Sequence, residues 1–251
     1  MRDLRKILRA TAALLAAWAL AGEAGAVPLV TWDLGNATGQ DAAVLATALN
    51  VSATSIDEVG VTQWAGTSEE GFVAATGWSA GAAYDPGRYY QFAVTAAAGY
   101  AIGYETIDLA LFRGIAGGLH GAQLWDLHAS TDGFVGSDLA LGTFDISASG
   151  VDVQTVFAGH DISSLGTQGG TVTFRLYGYD QTQPTDYAGL GNDDGTWLIF
   201  GTGLDPVVSG TVAPVPEAAR SALLWLGLAG LAATGSRPGR HARGRTLAAR
   251  S

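Results

Sequence analysis

The chain contains no cysteine, and Lys6 is the only lysine among its 251 residues. The absence of cysteine excludes disulfide bonds, thiolate nucleophiles and cysteine-ligated zinc. A single lysine near the start leaves the body of the chain without an amine for Schiff-base chemistry. Cationic side chains are also scarce: residues 27–216 hold three arginines against twenty acidic residues, a net charge of −17. Such a surface repels phosphate backbones, so we expect no nucleic-acid partner.

Apolar residues at helical spacing are equally scarce between residues 27 and 213, where alternation with a period of two recurs instead. The segments 88–96, 105–112 and 170–179 each place apolar side chains on one face and polar ones on the other, as a β-strand does. Further strands are predicted at Leu29–Trp32, Leu49–Ala53, Glu58–Trp64, Ala122–Ala129, Leu139–Ile146, Asp152–Phe157, Thr196–Gly201 and Val207–Val212. A single helix is predicted at residues 41–50.

This pattern predicts an all-β fold for residues 27–213. Strands with one polar face form antiparallel sheets that are solvated on one side. About eleven such strands need two packed sheets to bury their apolar faces. We therefore expect a jelly-roll-like antiparallel β-sandwich, with a β-barrel as the alternative.

The first 26 residues have the composition of a secretory signal peptide. A basic stretch to Arg9 precedes the apolar run Ala10–Ala21, and the small residues Ala24, Gly25 and Ala26 follow. Twelve apolar residues rise about 18 Å as a helix, short of the roughly 30 Å core of a membrane. We expect export and cleavage after Ala26, with signal peptidase and the export machinery as partners.

Residues 214–251 have a different composition. Pro214 and Pro216 interrupt regular structure, Glu217 follows, and Ala218–Ala233 is an apolar run of about 24 Å as a helix. This run is just long enough to span a membrane if Arg220 reaches the interface. Five arginines come after it: Arg237, Arg240, Arg243, Arg245 and Arg250. The positive-inside rule predicts a transient inner-membrane anchor with the domain outside and the tail inside.

At these residues the chain resembles the PEP-CTERM family of bacterial exported proteins. Val215, Pro216 and Glu217 match the family's Val-Pro-Glu-Pro-like motif, which a short Leu/Gly-rich helix and a basic end follow. Ala218 replaces the usual second proline, and Arg220 lies early in the helix. The resemblance implies processing by an exosortase-type membrane protease and delivery to the cell surface or an exopolysaccharide matrix.

Part of the body is similar to a recurring pattern of PEP-CTERM domains. In that pattern a strand, a Gly-Tyr turn and a strand ending in arginine precede a strand that leads to Ser-x-Asp-Gly-Phe. Here residues 89–114 and 124–134 follow it, and residues 170–180 and 205–217 fit its end. The resemblance implies a sandwich fold and no known activity.

Catalytic sites are predicted to be absent. The histidines His120, His128 and His160 lack the His-Glu-x-x-His spacing of a zinc site, and we expect them at edges or on the surface. Asp126, His128 and Ser130 look like a triad, but alternate residues of one strand point in parallel directions about 7 Å apart. Side chains in that arrangement cannot converge as a catalytic relay requires.

Carboxylate pairs that could serve a glycosidase are weighed in the same way. Glu105 with Asp108, and Glu69 with Glu70, have a suitable residue type. In a chain this acidic, such pairs occur by chance. A polysaccharide hydrolase or lyase is therefore an alternative function, and no catalytic residue is assigned.

The sequence indicates no required cofactor. Calcium is the one cofactor for which it offers candidate ligands. Hard cations take six to eight oxygen atoms from acidic loops, and residues 178–195 form such a loop without EF-hand spacing. The candidate ligands are Asp180, Asp186, Asn192, Asp193 and Asp194. A solvated acidic loop with a turn at its end is the alternative interpretation.

Aromatic residues suggest a further hypothesis. Several of them could stack on sugar rings if they share one face, although most tryptophans are expected in the core. These residues are Trp64, Trp78, Tyr84, Tyr89, Tyr177, Tyr179 and Tyr187. The sequence thus predicts an exported, non-catalytic protein with a structural or adhesive role, and a lectin-like carbohydrate-binding module as the first alternative. Exopolysaccharide is a candidate partner in both cases.

Overall fold

The computed structural model describes residues 25–34, 38–39, 42–63, 72–114, 121–149, 153–181, 188–191 and 205–215. These residues form sixteen β-strands and one 3-10 turn, Ser163–Leu165. The first eight strands are β1 Val27–Asp33, β2 Thr38–Gly39, β3 Ala43–Thr47, β4 Val51–Ala53, β5 Asp57–Val59, β6 Thr62–Gln63, β7 Phe72–Thr76 and β8 Tyr89–Ala96. The others are β9 Tyr100–Arg113, β10 Leu124–Ser130, β11 Leu139–Asp145, β12 Thr155–Asp161, β13 Thr167–Gln168, β14 Thr171–Tyr179, β15 Ala188–Gly191 and β16 Val207–Pro214.

The first sheet is built around β9, which is 14 residues long. Its strand order is β2-β7-β15-β9-β16-β1-β3, with β6 paired to β7 and with β12 and β13 paired to β9. Leu111 of β9 pairs with both Leu190 and Thr155, so β15 and β12 occupy opposite edges of β9. The pairings are antiparallel in the described residues except for β2 with β7, which is parallel.

The second sheet has the order β11-β10-β14-β8-β4, with β5 also paired to β8. Alternation organises its centre, because every second side chain of β8 from Tyr90 and of β14 from Val172 is buried. Phe92 lies opposite Phe174 in register, and their rings stack with centroids 5.0 Å apart. The inner face of the second sheet is therefore aromatic.

Aromatic side chains from the two sheets meet between them. Trp32 of the first sheet contacts Phe92 of the second edge-on at 4.8 Å, and Tyr104 contacts Phe174 in the same way at 5.8 Å. Burying each large apolar side chain stabilises the fold by about 1.5–3 kcal/mol. The two antiparallel sheets pack face to face, so the predicted all-β, sandwich-like fold is confirmed.

The predicted helix at residues 41–50 is wrong. Residues 43–47 form β3, in which Val44 pairs with Trp32 and Ala43 with Asp33. The Ala- and Leu-rich composition favours a helix locally, but pairing with β1 supplies the backbone hydrogen bonds instead. Asn50, with φ 65°, then turns the chain into β4.

The strand predicted at Glu58–Trp64 is also corrected, since it divides at Gly60. Gly60 has φ 70°, which ends β5 in the second sheet, and β6 continues in the first sheet. A Cβ at this position would lie 1.8 Å from the carbonyl oxygen of Gly87, so only glycine fits the crossing. The predicted strand Thr196–Gly201 lies outside the described residues.

The two predicted signals also lie largely outside the described part. Ala26 is exposed and directly precedes β1, whereas residues 1–24 are not described. β16 ends at Pro214, and residues from Val215 onward form a separate unit. Within the described ranges, no helix is long and apolar enough to cross a membrane.

Candidate functional site

The outer face of the second sheet carries a cluster of aromatic and charged side chains. Phe174 and Leu176 of β14 point into the core, so Arg175 and Tyr177 between and beyond them point outward. In the backbone pairing of β14 with β10, Arg175 lies opposite His128. We call the outward set, with two loop residues that cover it, the aromatic face. Its members are Tyr84, Tyr89, His128, Phe134, Arg175, Tyr177 and Tyr179.

Tyr84 reaches this face from the loop between β7 and β8. Its ring stacks on that of Tyr177, with centroids 4.5 Å apart and an interplanar angle of 24°. Tyr84 also meets the His128 ring edge-on at 5.3 Å. The backbone N–H of Asp180 donates to the carbonyl of Gly81 at 3.1 Å, which ties the loop to the end of β14. Tyr84 is therefore held as an outer layer on a buried ring.

Arg175 is enclosed by aromatic rings. Its guanidinium carbon lies 4.1 Å from the ring centroid of Tyr89 and 4.1 Å from that of Phe134. Its Nε donates to Oε1 of Gln91 at 3.0 Å. Within the described part of the chain, no carboxylate lies within salt-bridge distance of this guanidinium. Two cation–π contacts thus orient a charge that has no acidic partner there.

Phe134 reaches the face from a loop organised by Asp132. The Asp132 carboxylate accepts hydroxyl hydrogen bonds from Ser130 and Ser137, each at 2.8 Å, and backbone N–H bonds from the same turn. These bonds, chiefly those from Ser137 and Ser130, hold the pKa of Asp132 well below its usual range. Gly133 and Phe134 follow with φ of 73° and 66°. The Ser-x-Asp-Gly-Phe pattern is therefore a loop that positions Phe134.

Carboxylates border the aromatic face. Asp138, whose side chain is 52% exposed, lies 2.6 Å from Nδ1 of His128 through Oδ1. The hydroxyl of Tyr179 donates to Oδ1 of Asp126 at 3.2 Å. Burial, aided by the charge of Asp126, raises the pKa of Tyr179 to about 12. Burial and the Asp138 charge also raise the pKa of Tyr84, so both phenols stay protonated donors at neutral pH.

The residues weighed as a triad are not brought together. His128 contacts Asp138, whereas the Ser130 hydroxyl bonds to Asp132 and Ser137. The expectation that the histidines lie at edges or on the surface is wrong for His128, which is buried on β10 between β11 and β14. Nε2 of His160 lies 3.0 Å from the carbonyl oxygen of Leu141. His120 is outside the described residues.

The weighed carboxylate pair Glu105 and Asp108 lies on β9 at a β-bulge, because the pairing with β16 passes from Thr106 to Tyr104 and skips Glu105. Asp108 accepts the backbone N–H of Gly159. Both residues are described, and no contact joins the two carboxylates, so no acid–base pair is assigned to them. Glu69 and Glu70 lie outside the described residues.

One serine pattern was overlooked in the sequence. Residues 77–81 read Gly-Trp-Ser-Ala-Gly, the Gly-x-Ser-x-Gly spacing of a nucleophile elbow. In such an elbow the serine lies on a sharp turn between a strand and a helix. Here β7 leads into a loop and then β8, and the Ser79 hydroxyl donates to the carbonyl of Ala83 at 2.8 Å. The spacing therefore lacks the structural context of an elbow.

The predicted calcium loop is described only at its start. Asp180 has φ 59° and follows β14 directly, while its carbonyl accepts from Nε2 of Gln123 at 3.1 Å. The other four candidate ligands lie outside the described residues: Asp186, Asn192, Asp193 and Asp194. Among the residues that are described, no three acidic or histidine side chains group as metal ligands do. The calcium site stays a prediction.

Four of the seven aromatic candidates share one face, namely Tyr84, Tyr89, Tyr177 and Tyr179. Trp78 instead lies in the core, 2% exposed, and its Nε1 donates to the carbonyl of Ala75 at 2.8 Å. Trp64 and Tyr187 lie outside the described residues. The sequence analysis missed Phe134 and Arg175. The sequence does place Arg175 at an outward position of its strand, as it does Tyr177 and Tyr89, and this pattern could have indicated its role in the site.

The predicted sorting residues stand at the end of the folded unit. Val215 is 48% exposed directly after β16, and Pro216 and Glu217 lie outside the described residues. No family model, curated protein or solved structure matches this chain. The PEP-CTERM resemblance thus rests on the motif residues themselves.

Proposed function

We propose that this chain is an exported, non-catalytic β-sandwich protein with a structural or adhesive role. An exosortase-type system sorts it to the cell surface or the exopolysaccharide matrix, after transient anchoring in the inner membrane. One observation carries the proposal: β1 begins at Val27, directly after the predicted cleavage site, and β16 ends at Pro214, directly before the predicted sorting motif. The sandwich fills the interval between the two signals.

We extend the fold assignment to a jelly-roll-like sandwich. β1 and β16 are neighbours inside the first sheet, and the chain passes between sheets from β8 to β9, β9 to β10, β11 to β12 and β14 to β15. Such repeated crossing between two sheets supports a jelly roll over a barrel, in which one sheet closes on itself.

The second candidate function is lectin-like carbohydrate binding. The aromatic face favours it, because aromatic rings and a few polar groups gathered on one surface are typical of ligand sites. A lectin role is compatible with export and with an adhesive function.

The intact mass of the native protein tests the main proposal. We expect a species that begins at Val27 and ends near Glu217, recovered from the matrix or outer surface. A species that ends at Ser251 in the inner-membrane fraction would mean that the tail is a permanent anchor. Recovery from the cytoplasm with residues 1–26 intact would overturn export.

A further inference from the structure

We propose that the aromatic face binds a neutral polysaccharide, with Tyr84 and Phe134 as stacking platforms and with Arg175, which lies against Phe134, as a hydrogen-bond donor. The inference rests on the adhesive role proposed above and names the site and the ligand class for it.

The accessible rings are those contributed by the two loops. Tyr89, Tyr177 and Tyr179 are buried beneath neighbouring side chains, and Tyr177 is only 3% exposed. Tyr84 and Phe134 are half-buried, and each covers the strand residues with one side. The rest of each ring is available to the apolar C–H face of a pyranose, which packs on aromatic rings as other apolar groups do.

Polar groups suited to sugar hydroxyls lie beside these rings. The planar guanidinium of Arg175 offers N–H donors that no described carboxylate occupies. The half-exposed carboxylate of Asp138, which contacts His128, offers hydrogen-bond acceptors at the border of the aromatic face. A hydroxyl both donates and accepts, so a surface with both kinds of partner matches it.

The charge of the domain selects a neutral ligand over an acidic one. Residues 27–216 carry a net charge of −17, and Asp126 and Asp138 border the face itself. The net negative charge of the domain and these two carboxylates repel a uronate-bearing or sulfated polymer. A neutral polymer meets no such repulsion and can still use the Arg175 donors.

The face is also preorganised. The Tyr84 ring rests on Tyr177, and the loop that carries Phe134 is closed by the hydrogen bonds of Asp132. Side chains that are already held in place lose little conformational entropy on binding. The rigid rings of Tyr84 and Phe134 therefore lower the entropic cost of binding a ligand.

Affinity electrophoresis of the protein isolated from its cells tests this inference. The gels contain a neutral polymer (a β-glucan, a galactomannan or a xyloglucan) or an acidic one (alginate or polygalacturonate). We expect retardation by at least one neutral polymer and none by the acidic polymers. Tyr84→Ala and Phe134→Ala should each weaken binding about tenfold, whereas Tyr84→Phe keeps the ring and the affinity. Val135→Ala, at a neighbouring side chain that is 89% exposed, is the matched control.

A second measurement needs no variant. The bound neutral polymer should slow nitration of Tyr84 by tetranitromethane in the unmodified protein. Retardation by acidic polymers alone overturns the ligand class, and failure of every polymer to bind overturns the site. Binding that survives both alanine variants, with Tyr84 unprotected, places the ligand elsewhere. None of these results depends on where the protein is sorted, so they leave the export proposal to its own test.

Discussion

Val27, the first residue of β1, pairs with Gly210 of β16. The start and the end of the sandwich are therefore hydrogen-bonded neighbours inside one sheet. Position 210 of β16 needs glycine, because a Cβ there would lie 2.1 Å from the carbonyl oxygen of Gly103 in β9 and 3.1 Å from Cδ1 of Leu29.

Replacement of Gly210 should weaken the whole domain. Gly210→Ala forces β16 away from β9, and overpacking of this kind costs about 1–3 kcal/mol. Urea denaturation followed by circular dichroism measures the free energy of unfolding. Gly169→Ala is the control, since its nearest neighbour for a Cβ is the Tyr100 carbonyl oxygen at 3.8 Å. Equal stability of the two variants would contradict the close approach of β16 and β9.

The fold class could be predicted because apolar residues alternate along the central strands. In β8 and β14 the alternation of apolar and polar residues is local, so it is legible before any pairing is known. β3 could not be predicted, because its strand conformation depends on β1, a partner that local composition does not reveal. The break at Gly60 could not be predicted for the same reason, because its φ of 70° is needed where the chain crosses from one sheet to the other.

The candidate site was predictable only in part. Tyr89 and Tyr177 are outward by alternation, but their meeting depends on the register of β8 with β14. Phe134 depends on a loop whose shape comes from the hydrogen bonds of Asp132. In the sequence, Arg175 is only one of the three arginines between residues 27 and 216. Its position between the rings of Tyr89 and Phe134 depends on tertiary structure.

Acid should loosen the loop that carries Phe134. The pKa of Asp132 is depressed in the folded state, so the folded protein binds fewer protons than the unfolded one, whose aspartates titrate near 3.9. The stability from Asp132 is thus fully present above about pH 4 and is lost as the pH falls through the folded pKa.

Melting temperatures at pH 7 and pH 3 measure this loss. Asp132→Asn should melt below the parent at pH 7, and the difference should shrink at pH 3. Ser137→Ala removes the hydroxyl that contributes most to the lowered pKa of Asp132, and carbon-detected NMR titration should show that pKa rising toward its ordinary value. A difference in melting temperature that does not change with pH would exclude this linkage.

Calcium binding by residues 180–194 is testable without a structure of the loop. A cation that binds only the folded state raises the melting temperature by mass action. We expect an increase with millimolar calcium, and Asp193→Ala with Asp194→Ala should abolish it. Asp57→Ala, an acidic site on β5, is the control and should keep the response. An unchanged melting temperature in the parent protein would identify residues 180–194 as a solvated acidic loop.

The sorting motif yields the most decisive variant. Pro214 and Pro216 disfavour a helix over residues 214–217, so we expect an extended backbone at the sorting motif. An extended segment at the outer surface of the membrane would suit the proposed exosortase-type protease. The Val215-Pro216-Glu217 motif provides such a segment if Ala218–Ala233 spans the membrane behind it.

Pro216→Ala with Glu217→Ala should therefore trap the full-length chain in the inner membrane. Fractionation and intact mass would show a species ending at Ser251 where the parent protein ends near Glu217. Ala213→Ser, an exposed change at the end of β16, is the matched control and should be processed normally. If the double variant is released like the parent, Val215, Pro216 and Glu217 form only a linker. The basic tail and apolar run would then act without an exosortase-type protease.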